Sequence, residues 1–123
     1  MRRANLSQLS IVDLVERFAK ITSAQDEASL GGRYAEYNRL YDHMIDICDE
    51  LKSRDGDQRA HLIKLYSHQN MHVRLQAAKL TLAVAPQEAR DQLQAIVASQ
   101  WFPQAGDAGM CLRNLELGVF KPT

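Results

Sequence analysis

Residues 61–98, HLIKLYSHQNMHVRLQAAKLTLAVAPQEARDQLQAIVA, limit what this chain can fold into more than any other stretch. The run reads as a helix, a tight turn at Gln69–Asn70, a second helix from Met71, and a third opened by Pro86. Asn70 suits an N-cap, because its short side chain can accept from backbone N–H groups of the first turn. At about 100° per residue, Val73, Ala77, Leu80 and Val84 fall on one stripe of residues 71–85. Leu75, Ala78, Leu82 and Ala85 form a second stripe on roughly the opposite side. Arg74 and Thr81 fill one gap between stripes, Gln76 and Lys79 the other. An ordinary surface helix has a single apolar face. Two faces predict a helix packed between layers, as the inner helix of a solenoid is.

The rest of the chain supports an all-helical reading. Ser7 or Ser10 caps a first helix, with Leu9, Val12, Val15, Phe18 and Ile21 (Leu14 alongside) at near-helical spacing, and residues 1–6 frayed ahead of it. That helix fades over the polar stretch Ser23–Ser29 and stops at Gly31–Gly32. A long helix over about 33–54 places Tyr34, Tyr37, Tyr41, Ile45, Cys48 and Leu51 on its buried stripe, widened by Leu40, Met44 and Ile47. Arg54–Asp55–Gly56–Asp57 ends it and starts another helix over about 58–68, carrying Leu62, Ile63, Leu65 and Tyr66. Pro86 at a first helical position opens the next, whose core side is Ala89, Leu93, Ile96 and Val97. Trp101–Phe102–Pro103 breaks the chain. A last helix over about 104–117 buries Ala108, Cys111, Leu112 and Leu115, and Gly118 terminates it with Val119 packing just beyond. No segment alternates apolar and polar residues as a half-buried strand does. The expectation is one domain over 1–123, all-α, built as a right-handed α-α superhelix of about six helices, HEAT- or armadillo-like.

Charge and cysteine usage narrow the function classes. Fifteen basic and fifteen acidic residues cancel, so no global field draws the chain to nucleic acid or anionic lipid. Cys48 and Cys111 each sit in an apolar helical pattern and read as reduced, buried thiols of a cytoplasmic protein. No apolar run reaches the roughly 18 residues that span a bilayer. The start MRRANLSQLS has no apolar core of a secretory signal.

The run from Leu62 through the turn at Gln69–Asn70 to Val73-Arg74-Leu75-Gln76-Ala77-Ala78 resembles the HEAT pattern of an apolar helix end, a short polar turn and Val-Arg-x-x-Ala-Ala. Asn70 stands where many such units carry Asp. A second, weaker unit overlays 87–99 and 104–118 but lacks the Val-Arg pair. Over roughly residues 35–98 the chain also resembles a family of uncharacterised bacterial proteins, domain of unknown function twenty-nineteen. The features that carry it are Tyr37-Asn38-x-Leu40-Tyr41-Asp42, Ile47 through Leu51, Asn70-x-x-Val73-Arg74-Leu75-x-Ala77-Ala78 and Ala85-Pro86-x-x-Ala89. The resemblance implies a HEAT-like fold and a bacterial cytosolic setting, and brings no catalytic residue with it.

Several clusters carry candidate chemistry. Asn38, Asp42, Asp46, Asp49 and Glu50 line one side of the second long helix, next to His43. A straight helix cannot wrap a cation and no calcium loop is present, so these carboxylates read as a solvated face or a surface for a protein partner. His61, His68 and His72 lack zinc-site spacing. Gly31–Gly32 before Arg33 is a helix connection first and an anion cradle only second. Arg74, like its counterpart in HEAT units, is expected to bond helix-end carbonyls or a carboxylate. Residues 42–57 hold six acids and two bases, whereas Arg59, Lys64, Arg74, Lys79 and Arg90 face Glu88 alone over 59–90. That asymmetry suits either a charged protein partner or internal pairing of the acids with Arg59, Lys64 or Arg74.

The expected function is a non-enzymatic protein-interaction module, such as an immunity-type or regulatory binder of bacteria. Its candidate binding residues are Asp42, Asp46, Asp49 and Glu50, and it needs no catalytic residue, metal or cofactor. The alternative is a nucleic-acid-binding HEAT-like domain using Arg59, Lys64 and Arg74, disfavoured by the neutral net charge. A hydrolase or metal enzyme centred on Asp42, Asp46 and His43 ranks last.

Overall fold

The structure, a computed structural model, describes residues 3–123, with side chains from Asn5 onward. The described residues are all-α, with six α-helices, a 3₁₀ segment and no strand. They divide into two compact units, one ending at His61 and the other beginning at Leu62.

The first unit holds α1 (Arg3–Leu6), α2 (Ile11–Leu30) and α3 (Tyr34–Ser53). Ser10 caps α2 as expected, its hydroxyl accepting from the Asp13 amide at 3.0 Å. The helix does not fade at Ser23. It runs to Leu30, because the side it buries continues as Thr22, Gln25 and Ala28, small or polar groups that a hydropathy reading passes over. The Thr22 hydroxyl donates to the Phe18 carbonyl at 2.8 Å, and Gln25 Nε2 donates to Met44 Sδ at 3.6 Å. These bonds satisfy two polar groups that would otherwise be costly to bury. Gly31 and Gly32 then end the helix, with Gly32 at φ +70° and the Arg33 amide donating back to the Ala28 carbonyl at 2.8 Å.

Three expectations for this unit are corrected. Leu6, placed in a frayed tail, is fully buried, and its carbonyl accepts from Arg54 Nη2 at 3.1 Å. Met1 and Arg2 lie outside the described residues. Val12 is exposed, since the core side of α2 is centred on Leu14, Val15, Phe18 and Ile21. On α3 the buried stripe is Leu40, Met44, Ile47, Cys48 and Leu51. Tyr34 and Tyr41 are 71% and 44% exposed instead.

From Gln58 to Ser67 the chain is a ten-residue 3₁₀ helix rather than the expected α-helix. Its buried residues Arg59, Leu62 and Leu65 recur every third position, the period of a 3₁₀ helix.

The second unit contains α4 (Met71–Thr81), α5 (Pro86–Ser99) and α6 (Gln104–Glu116). Asn70 caps α4, its side-chain oxygen accepting from the His72 and Val73 amides at 2.9 and 3.3 Å. Leu75, Ala78 and Leu82 of the α4 stretch pack with Ala89, Leu93 and Ile96 of α5 and with Ala108 and Cys111 of α6. Tyr66, Met71, Leu112 and Leu115 close over this cluster. Val73 and Ala77, on the other side of α4, are buried as well. No residue from Met71 to Leu82 is exposed, which is the two-faced pattern expected of this helix.

The first stripe weakens toward its end: Leu80 and Val84 are only half-buried, and the helix stops at Thr81 instead of running to Ala85. Pro86 disfavours helical backbone at the residue before it, and Ala85 sits at φ −142° and ψ 64°. Val97 and Val119, expected in the core, are exposed at 38% and 74%.

Both cysteines are free and buried. Burial pushes the Cys48 thiol up to about 11 and raises Cys111 too. A thiolate is the reactive form, so neither thiol should react with a disulfide reagent in the folded chain at neutral pH. Modification should follow denaturant unfolding, and rapid labelling of either in buffer would contradict the packing described.

Candidate protein-binding surface

The outward side of α3 is the best-defined candidate surface. With Leu40, Met44, Ile47 and Leu51 fixing its inner side, the 100° helical step sends Asn38, Asp42, Ile45 and Asp49 outward, with Tyr34 and Tyr41 on one flank and Asp46 on the other. The burial of these residues agrees. Tyr34, Asn38, Tyr41 and Asp42 are exposed, while Ile45, Asp46 and Asp49 are half-buried. The acidic ridge therefore lies beside the tyrosines and not behind them. Tyrosine combines a large apolar ring with a polar tip, which is why it is enriched where proteins meet.

The four acidic candidates are not equivalent. Glu50 is committed to its own unit: its Oε2 accepts from Arg54 Nε at 3.0 Å, and Arg54 also bonds the Leu6 carbonyl. Asp42 stands furthest into water. Among the described residues, no group of three or more His, Cys, Asp or Glu side chains is placed to hold a metal ion.

The basic candidates are placed individually. Arg59 is buried and forms a two-point ion pair with Asp57, at 2.9 Å from Nε and 2.7 Å from Nη2. The Arg59 hydrogen bonds hold the Asp57 carboxyl below its ordinary range and, reciprocally, raise the guanidinium. Asp57, from the turn, supplies this two-point pair, and the charge of Asp49 on the α3 ridge also favours the Arg59 guanidinium. Arg74 donates to the His68 carbonyl, which ties the start of α4 to the turn before it. This is the helix-end acceptor that the sequence suggested. Lys64 is exposed. Arg33, beside the paired glycines, bonds Glu36 at 2.8 Å on the surface.

The histidines take local roles too. His68 Nδ1 accepts from the Asn70 amide at 3.0 Å, His61 Nε2 lies 3.1 Å from Gln58 Oε1, and buried His72 meets Gln76 at 3.5 Å.

Sequence reasoning missed the exposed aromatics of this surface, Tyr34 and Tyr41. The only available signal was that Leu40, Met44 and Ile47 compete for the inner side of the same helix and are more strongly apolar.

A family model covers residues 12–116, and the chain belongs to that family, described as Domain of unknown function (DUF2019). Among solved structures, the crystal structure of the protein RPA1889 from Rhodopseudomonas palustris CGA009 is similar at 61% identity and a TM-score of 0.94. The match covers 96% of this chain and 98% of that one. A search of the curated proteins returns no match. No helix among the described residues is long and apolar enough to cross a membrane.

Proposed function

We propose that this chain is a non-enzymatic protein-interaction module, of the immunity or regulatory kind in a bacterial cytoplasm, and that it meets its partner through the outward side of α3. The observation that carries the reading is the exposure of Tyr34 and Tyr41 on the flank of α3 next to exposed Asp42. Aromatic anchors at the centre of an interface supply most of its affinity, while carboxylates at the rim steer a basic partner and set the encounter rate. Supporting it, Arg59 and Arg74 are spent on internal acceptors, which weakens a phosphate-binding role. Helical-repeat folds of the HEAT type commonly present such surfaces, and a HEAT-like superhelix is the arrangement this reading adopts.

The test is to capture the partner from native lysate and then titrate it, purified, against variants. Tyr34→Ala with Tyr41→Ala should weaken binding by about 30-fold or more, the scale of a hot-spot truncation of about 2 kcal/mol. Asp42→Lys with Asp46→Lys should slow association and flatten its salt dependence, with the melting temperature nearly unchanged. A partner that binds both double variants like the parent protein would remove α3 as the binding face.

A further inference from the structure

The open flank of α3 also carries a repeat. Tyr34, Asn38, Tyr41 and Ile45 follow at intervals of four, three and four residues, the spacing by which one helix offers a seam to another. At 100° per residue they fall in one stripe about 60° wide, next to the inner side. Tyr34, Asn38 and Tyr41 are exposed and Ile45 is half-buried, so the stripe is open along its length. Cys48, the next position in the series, is buried and ends it. Asp42 and Asp49 each stand one residue after a position of this series (Tyr41 and Cys48), where paired helices carry the charges that select a partner. The two carboxylates are therefore about 10.5 Å apart along the helix, as are the two tyrosines. Asp42 is exposed, while Asp49 is half-buried and also favours the Arg59 guanidinium.

We infer that this face takes a single basic, amphipathic helix of a different protein, lying along Tyr34 to Ile45 with cations seven residues apart opposite Asp42 and Asp49. The inference rests on the binding role proposed for α3 and specifies what fills it. Spacing selects a helix. Helical side chains return to one direction every seven residues, after about 10.5 Å, whereas residues on one face of a strand lie about 6.7 or 13.4 Å apart. A strand that meets one tyrosine or one carboxylate thus misses the next by about 3 Å.

Charge selects a cationic partner of another sequence. Two copies of α3 laid antiparallel bring these edge positions together, acid against acid. Laid parallel, they set Asp42 and Asp49 against Tyr37 and Met44, neither of which is a cation. Asn38 adds alignment, because a lone polar residue within a seam fixes how two helices are matched.

The probe is a synthetic helical peptide of about three heptads, with leucine at its seam positions and arginine on both edges. Its control has the same composition and helicity, with leucines and arginines moved so that neither recurs every seven residues. Fluorescence anisotropy of the labelled peptides against the full chain should show the repeat peptide binding at least about ten-fold more tightly than the control. That advantage should vanish for Tyr34→Ala with Tyr41→Ala. Asp42→Lys should weaken the repeat peptide and flatten its salt dependence, with the circular dichroism spectrum of each variant unchanged. These results together would establish the helix and its spacing. Equal binding of the two peptides, or binding of neither at millimolar concentration, would overturn the inference, as would an advantage that survives loss of both tyrosines. The α3 reading is decided separately, by the partner captured from lysate. If that partner loses affinity for the tyrosine variant while the peptides are not distinguished, α3 stays the binding face and the helix on it is wrong.

Discussion

Cutting Leu75 back to alanine should lower the unfolding free energy by about 2–5 kcal/mol, while the same truncation at Leu80 should cost only about 1 kcal/mol. The two leucines lie on the same helix but differ in environment. Leu75 is 1% exposed and packs into the cluster formed with Leu93, Ile96 and Cys111. Its loss leaves a cavity among neighbours held by two other helices, and the surroundings close over such a void only partly. Leu80, at the weakening end of the other stripe, is half-buried and exchanges part of its surface with water already. Urea denaturation of the two variants, compared at unchanged slope, decides the matter. Equal losses would mean that the two sides of α4 are buried alike and that the difference described between them is wrong.

Replacing Asp57 with asparagine should cost about 1–3 kcal/mol at neutral pH, the scale of hydrogen bonds to a charged group. The lower part of that range is expected, because the Asp57 side chain is 32% exposed and water screens the pair, although Arg59 is at 9%. Asparagine isolates the charge. It keeps the shape, and it tolerates the left-handed backbone at φ +52° where most residues would be strained. The pH dependence has a definite sign. The folded Asp57 carboxyl titrates below its ordinary value, so the pair stabilises the chain fully above the unfolded value of 3.8. That stability is lost as pH falls through the lower, folded value. The gap between parent and variant should therefore be constant near neutrality and shrink in strong acid, when measured by denaturant titration at several pH values. A gap that persists undiminished at about pH 2 would mean the charge of Asp57 is not what holds Arg59.

The sequence was most legible where a single residue type is tied to a single backbone event. Ser10, Asn70, Pro86, Gly32 and Gly118 all mark helix ends where their chemistry places them. The double stripe of α4 was legible because Val73 and Ala77 on one side, and Leu75, Ala78 and Leu82 on the other, recur at helical spacing with the polar residues confined to the gaps between them. The facing of α3 was not. Leu40, Met44 and Ile47 compete with Tyr34, Tyr41 and Ile45 for the inner side, and tyrosine is comfortable in either place. The 3₁₀ segment was hidden for a similar reason. Leu62, Ile63, Leu65 and Tyr66 fit a period of 3.6 about as well as one of 3, and the burial of Arg59 that decides between them depends on its bond to Asp57. Of the candidate surface, the acidic half was readable from charge spacing. The aromatic half was not, because it depends on which side of α3 faces in.

The absence of any exposed residue in α4 bears on what kinship can reveal in this family. Val73-Arg74-Leu75-x-Ala77-Ala78 is among the features by which the chain resembles its family, yet no residue of it is exposed, and Arg74 is engaged with the turn beside it. Under the proposed reading a partner meets the outward side of α3 and has little of α4 to read. Drift in α4 therefore changes how much folded protein a cell maintains, since a loss of 1–2 kcal/mol can alter abundance several-fold. Under the same reading, drift on the outward side of α3 changes what the protein recognises while leaving its amount alone. On that reading, two members that keep the α4 signature letter for letter can still serve different partners, and divergence of purpose should be sought on the outward side of α3.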